Sequence, residues 1–112
     1  MAHALIASVA DVNLPAANVA AIVTRAASAS RKQRVYQLLW SYSAAPTGGR
    51  VRVQFGTRLV RDVDITAAGP GSVRFEPPLD SADNEEMAVT LSAGGAGITG
   101  KLNVDSELLD DV

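Results

Sequence analysis

Alternation between apolar and polar residues in the segment 35–66 is the sequence feature that most constrains the fold. The word VRVQF at residues 51–55 places two valines and a phenylalanine on one side of an extended chain, and arginine and glutamine on the other. A period of two is typical of a β-strand with one buried face. The turn words PTGG before it and Gly-Thr after it suit tight connections, because proline fixes φ and glycine accepts positive φ. The segment therefore predicts three successive strands.

Charged residues on the last two of these strands indicate their register. A three-residue loop at residues 56–58 would place Arg52 opposite Asp62. Two positions further along, Arg50 would lie opposite Asp64, so that opposite charges meet across the strands. A two-residue loop would instead place apolar residues opposite charged ones. We therefore expect the longer loop.

The strand predicted at residues 33–43 contains most of the aromatic side chains of a chain that is only 4% aromatic. Strict alternation puts Tyr36, Leu38, Trp40 and Tyr42 on one face. A core position is expected for Trp40, because few other large side chains are present to fill a core. The hydroxyl group of Tyr36 or Tyr42 can reach the surface, where an aromatic row could contact a sugar or a protein partner.

Short strands separated by Gly/Pro turns continue to residue 104, and no helix is indicated. This pattern predicts an all-β protein, an antiparallel β-sandwich of jelly-roll or Ig-like type with seven to eight strands. The sandwich domain is expected at residues 18–104. Residues 1–17 are expected to form an extended N-terminal arm and residues 105–112 an acidic C-terminal tail, each free or lying on a neighbouring subunit.

Residue types that support catalysis or metal binding are scarce. The chain has no cysteine, which excludes thiolate chemistry. It has a single histidine, His3, so no His/Cys metal cluster can form. Asp62 and Asp64 share one face and are the best candidates for a cation site or a catalytic carboxylate pair. Calcium needs six or more oxygen ligands, and the arginines expected beside these acids disfavour a cation. We therefore expect no enzyme activity, no metal and no cofactor.

The distribution of charge is uneven although the net charge is only −2. Residues 1–61 contain eight Lys/Arg and one acid, and residues 62–112 contain eleven acids and two Lys/Arg. A nucleic-acid surface would use the basic residues of the first part. Neutralisation between strands or subunits is the favoured interpretation, because no aromatic residues are interleaved with the basic ones. The basic residues in question are Arg31, Lys32, Arg34, Arg50 and Arg52.

No apolar run approaches the roughly 18 residues of a membrane-spanning helix. The N-terminus also lacks a basic region followed by a continuous apolar segment, so no signal peptide is expected. We expect neither a membrane nor a nucleic acid among the partners.

The strings WSYSAAPTGGRVRV, DVDITAAGPGSVRFEPPL and MAVTLSAGGAGITGKLNV resemble small β-sandwich virion proteins of tailed bacteriophages. The resemblance spans residues 19–104 and consists of strand and turn words, so it transfers no functional residue. It implies a capsid decoration or cement protein that binds the major capsid protein on the surface of the virion head, is assembled in the host cytoplasm and is commonly a homotrimer. A carbohydrate- or receptor-binding module of a phage particle, using Tyr36, Tyr42 and the exposed loops, is the alternative.

The interface that this interpretation predicts consists of residues from both terminal segments, from the basic turn and one tyrosine. Its residues are Leu5, Ile6, Val9, Val12, Leu14, Arg31, Lys32, Arg34, Tyr42, Leu108 and Leu109.

Overall fold

A computed structural model describes the backbone of residues 3–111 and the side chains of residues 12–110. Over this range the chain forms eight strands and no helix. The strands are β1 (His3–Asn13), β2 (Ala21–Arg25), β3 (Arg31–Tyr42), β4 (Gly49–Phe55), β5 (Arg58–Ile65), β6 (Gly69–Asp80), β7 (Met87–Leu91) and β8 (Gly100–Asp111).

The strands form two four-stranded sheets with the orders β1-β8-β3-β6 and β2-β7-β4-β5. All six strand pairings are antiparallel. The chain passes from one sheet to the other at every connection except the β4–β5 hairpin. Eight strands that alternate between two sheets in this way form a jelly roll. The predicted β-sandwich is therefore confirmed, and of the two types expected it is the jelly roll.

Small branched side chains fill the space between the sheets, as the alternation in the sequence predicts. On β4, every second residue from Gly49 to Phe55 is buried, and the residues between them are half-buried on the outside. The inner strands β3, β4, β7 and β8 contribute side chains that are fully shielded from solvent. Those at 0% exposure are Val35, Val53, Phe55, Met87, Val89, Leu91, Leu102 and Val104.

A β-bulge in β3 changes which residues of that strand face the core. Val35 pairs with Ser106 and Gln37 with Asp105, so Tyr36 is an extra residue without a direct partner. An extra residue reverses the phase of the alternation. Val35, predicted on the face opposite Leu38, is therefore buried together with it.

The β4–β5 hairpin has the predicted register but not the predicted loop. Arg52 pairs with Asp62, and the pairing Arg50 with Asp64 follows two positions on. The turn itself contains only Gly56 and Thr57, because Phe55 pairs with Arg58. A bulge at residue 60 adds the residue that the loop lacks, so the apolar and charged faces still align.

The expectation of free or neighbour-bound terminal segments is wrong for the described residues. β1 pairs with β8 from His3 opposite Asp111 to Asn13 opposite Leu102. Residues 105–111 continue β8, which lies between β1 and β3 and hydrogen-bonds with both. The acidic segment is thus a central strand, because its backbone groups find partners on both sides whatever the charge of its side chains.

Candidate functional site

The outer face of the β1-β8-β3-β6 sheet brings polar residues of three strands together. The bulge in β3 directs Tyr36 and Gln37 to this face, on which Arg34 also lies. The Arg34 guanidinium donates two hydrogen bonds to Asp80 on β6, Nε to Oδ1 at 2.7 Å and Nη2 to Oδ2 at 3.0 Å. This two-point contact between planar groups fixes the orientation of both side chains and raises the pKa of Arg34 further above its usual value.

Tyr36 connects this ion pair to β8. A hydrogen bond to the Glu107 carboxylate, together with partial burial, raises the pKa of the Tyr36 hydroxyl, and a hydrogen bond with Arg34 opposes the shift. Glu107, Tyr36, Arg34 and Asp80 therefore form one connected chain across three neighbouring strands. We call these four residues the Tyr36 array.

Next to the array, the Gln37 amide donates a hydrogen bond to Asp105 at 2.6 Å, from Nε2 to Oδ2. One row further along the strands, Asn103 lies between Val12 on β1 and Leu39 on β3. Val12 is 54% exposed and Leu39 38% exposed. The outer face therefore combines a hydrogen-bonding array with an adjacent apolar row.

Two of the predicted interface residues are buried. Tyr42 is 2% exposed, and its hydroxyl donates a hydrogen bond to the Ser92 carbonyl oxygen at 2.7 Å. Tyr42 follows the bulge in β3 and lies in phase with the buried Leu38, so it faces the core. Leu109 is 3% exposed. The prediction of an interface role is wrong for both residues, since a side chain without solvent exposure offers no surface to a partner.

The other predicted interface residues are more accessible or lie outside the described side chains. Val12 and Leu14 are exposed, and Arg31, Lys32, Arg34 and Leu108 are half-buried. Leu5, Ile6 and Val9 lie on β1, and their side chains are outside the described residues. The structure thus brings Arg34 into the Tyr36 array and leaves Val12 and Leu14 at the end of β1.

A buried polar cluster between the sheets has no counterpart in the sequence analysis. Gln33 is 1% exposed; its Oε1 accepts a hydrogen bond from Arg25 Nη1 at 3.1 Å, and its Nε2 donates to the Ala26 carbonyl oxygen at 3.3 Å. Arg25 Nη2 donates to Ser106 Oγ at 2.9 Å, and the Gln33 N–H donates to Ser81 Oγ at 2.8 Å. The only sequence signal is that Gln33 and Ser106 lie in phase with buried apolar residues. The cluster joins β2 to β3 and β8 and is structural.

The acids considered for a cation are held by arginine. Asp62 accepts two hydrogen bonds from Arg50, one of them 2.6 Å long, and this contact lowers the pKa of the carboxyl. Over the described residues no three His, Asp or Glu side chains lie close enough to form a metal site. An open cleft of about 340 Å³ lies beside this pair and is lined by Pro46, Gly48, Gly49, Arg50, Asp64, Ile65 and Thr66.

No helix in the described part of the chain is long and apolar enough to cross a membrane.

No family model matches the chain, and no curated protein matches it. Solved structures of similar shape include a CBM36-1 domain of a multidomain xylanase from the hindgut metagenome of Trinervitermes trinervoides. That domain has a TM-score of 0.44 and 10% identity over 87% of this chain and 74% of its own. A carbohydrate-binding module CBM36 in complex with calcium and xylotriose has a TM-score of 0.44 and 14% identity over 98% and 93% of the two chains. Dimeric latent PorU from Porphyromonas gingivalis has a TM-score of 0.47 and 10% identity over 95% of this chain and 13% of PorU. The similarity is one of β-sandwich fold and transfers no site residue.

Proposed function

We propose that this protein is a non-catalytic glycan-binding module whose binding surface is the Tyr36 array on the outer face of the β1-β8-β3-β6 sheet. The observation that carries the proposal is the position of Tyr36, a half-buried aromatic residue hydrogen-bonded between Arg34 and Glu107 on an open sheet face.

The array offers the two kinds of hydrogen-bonding group that a sugar requires. A sugar hydroxyl is both donor and acceptor, so it is best bound by donors and acceptors placed side by side. Arg34 supplies only donors, while Asp80 and Glu107 supply acceptors. Their existing hydrogen bonds hold these groups in place before a ligand arrives, which lowers the entropy lost on binding.

The array also matches an extended ligand in size. Glu107, Tyr36 and Asp80 lie on three adjacent strands, which are spaced about 4.8 Å apart, so the array spans about 10 Å. The apolar row formed by Val12 and Leu39 lies beside it and can pack against the C–H groups of a pyranose ring. Burial of such apolar surface contributes about 25 cal/mol per Å².

The contacts favour recognition over catalysis. Asp80 is held by Arg34, and the Glu107 carboxylate accepts from the Tyr36 hydroxyl. A general acid or base needs a reacting group within hydrogen-bond reach and a pKa near the working pH. An acceptor already fixed by donors serves as a binding group.

The experiment is a glycan-array screen with the wild-type chain, followed by calorimetry with the best ligand. Arg34→Gln and Tyr36→Ala are expected to weaken binding at least tenfold. Arg50→Gln is the matched control, because Arg50 forms a similar arginine–aspartate pair with Asp62 on the other sheet; its affinity is expected to stay within twofold. Tyr36→Phe keeps the ring and is expected to bind more weakly than wild type but more tightly than Tyr36→Ala.

Absence of binding to every glycan at millimolar concentration would refute the proposal. Retention of wild-type affinity by both Arg34→Gln and Tyr36→Ala would place the binding surface elsewhere.

Capsid decoration is the second candidate, supported by the resemblance to phage virion proteins and by the exposure of Leu14, which is 67%. Jelly rolls serve both in viral capsids and in lectins, so the fold is compatible with either function. In this case the chain should co-sediment with shells of the major capsid protein, and Leu14→Ser should reduce its occupancy while Tyr36→Ala leaves it unchanged. Capsid shells that are stable without the chain and do not bind it would refute a role in capsid decoration.

A further inference from the structure

The two sheets have four edge strands, β1 and β6 in one sheet and β2 and β5 in the other. An edge strand presents a row of unpaired backbone N–H and C=O groups that can pair with another chain. Proteins normally protect such edges with proline, with charged residues or by keeping the strand short. The four edges of this protein differ in how they are protected.

Three of the edges carry one of these protections. β6 contains Pro70, Pro77 and Pro78, which have no N–H to donate. β5 is charged at four of its eight positions, and β2 is only five residues long. None of these strands is a suitable acceptor for a further strand.

β1 is different. It extends over eleven residues, HALIASVADVN, contains no proline and has Asp11 as its one Asp, Glu, Lys or Arg. In the described backbone β1 belongs to a ladder with β8 alone. A β-bulge between Leu5 and Ala7 interrupts β1, and residues Ala7 to Asn13 pair regularly with β8. The second edge of β1 is therefore uncharged over most of its length, and its regular part is available for pairing.

We propose that this edge of β1 pairs antiparallel with β1 of a second copy of the chain, giving a two-fold dimer with one continuous eight-stranded sheet. The prolines of β6 disfavour the head-to-tail pairing of β1 with β6, which would build open filaments. Pairing of β1 with itself about a two-fold axis forms a closed assembly. The proposal does not depend on the glycan-binding function.

The position of Asp11 favours antiparallel over parallel pairing. A parallel pair in register would place the two Asp11 residues side by side. An antiparallel pair centred near Ser8 would separate them by six residues, or about 20 Å. That distance exceeds the screening length of about 8–10 Å in physiological salt, so the two charges would barely repel each other.

Spin labels give a direct test, because the chain has no cysteine and a single introduced cysteine is therefore a unique site. Labels are attached to Ala4→Cys, Ser8→Cys and Val12→Cys in separate samples. In an antiparallel pair the label separation has a minimum near the centre and increases by about 6.8 Å per residue away from it. A label on β6, Ser72→Cys, is the control and is expected to give a separation above about 30 Å.

A proline variant tests the edge itself. Residues along an antiparallel strand alternate in whether their N–H bonds to the neighbour on one side or points to the other side. Of Ser8→Pro and Val9→Pro, one is therefore expected to keep the fold while removing a donor from the free edge. Light scattering should show a dimer for wild type and at least tenfold weaker association for that variant.

Several outcomes would overturn the proposal. One is a monomer or a trimer for wild type at 0.1–1 mM, which is about the range of weak dimers. Another is equal separations for the three labels on β1. The third is a dimer that the folded proline variant leaves unchanged. If both proline variants fail to fold, the spin-label distances decide the question alone.

Discussion

Gly71→Ala is the substitution whose effect follows most directly from the geometry. Gly71 pairs with Trp40 across β6 and β3. A Cβ atom at position 71 would lie 2.5 Å from both Cε2 and Nε1 of the Trp40 indole ring and 2.7 Å from Cζ2. Carbon atoms in optimal contact are about 3.5–4.0 Å apart, so the ring would have to move by about 1 Å.

The magnitude is the difference of two effects. Displacing a ring packed against the core costs about 1–3 kcal/mol, as other overpacking substitutions do. Replacing glycine by alanine also restricts the unfolded chain, which stabilises the fold by about 0.4–1 kcal/mol. Gly71 has no positive φ that would add backbone strain. The net expectation is a destabilisation of about 1–2 kcal/mol.

The assay is urea unfolding followed by far-UV circular dichroism, in a double-mutant cycle with Trp40→Ala. Slopes of about 1–3 kcal/mol per molar urea convert the expected change into a midpoint shift on the order of 1 M. In the Trp40→Ala background the clash is gone, and Gly71→Ala is expected to be neutral or stabilising. Fluorescence of the single tryptophan reports any movement of its ring in the Gly71→Ala protein.

A Gly71→Ala protein as stable as wild type would refute the reasoning. It would show that the Trp40 ring moves freely, which is expected of a surface platform and not of a side chain packed on the core.

Two further predictions concern hydrogen bonds. Tyr42→Phe removes the hydroxyl group that donates a hydrogen bond to the Ser92 carbonyl oxygen. It is expected to lower the free energy of unfolding in urea by about 1–2 kcal/mol. A change near zero would mean that solvent already satisfies the Ser92 carbonyl. A hydrogen bond from the Ala82 N–H lowers the pKa of Glu85 from its ordinary value near 4.5, and a hydrogen bond from Arg58 adds a smaller shift in the same direction. Because the folded pKa is the lower one, this stabilisation is present above pH 4.5 and is lost as the pH falls through the folded value. Glu85→Gln should flatten the acid limb of a stability–pH curve, whereas Glu86→Gln, which removes the same charge at an exposed position, should leave the Glu85 contribution in place.

The hairpin of β4 and β5 shows how far local sequence information extends. The predicted pairing of Arg50 and Arg52 with two aspartates is confirmed, since opposite charges and apolar partners admit only one register. The hydrogen bonds nevertheless run diagonally, from Arg50 to Asp62. The two-residue turn and the bulge at residue 60 were not predictable, because a loop and a bulge can exchange one residue without changing which faces meet.

The Tyr36 array shows where local information ends. Its members lie at positions 34, 36, 80 and 107, so no sequence window contains them. The bulge that directs Tyr36 outward depends on how β3 aligns with β6 and β8 together. Simple alternation placed Tyr36 and Tyr42 on one face, whereas the fold buries Tyr42 and leaves Tyr36 accessible.

The sequence by itself determined that the chain is all-β, which residues of β4 face inward, and the register of one hairpin. These properties follow from the period of two and from turn residues, which act within a few positions of the chain. Only the tertiary structure decided that the sandwich is a jelly roll, that both terminal segments are sheet strands, and that β1 keeps an open edge. These depend on strands distant in sequence, whose pairing is set by the joint burial of apolar surface and the pairing of backbone groups over the whole domain.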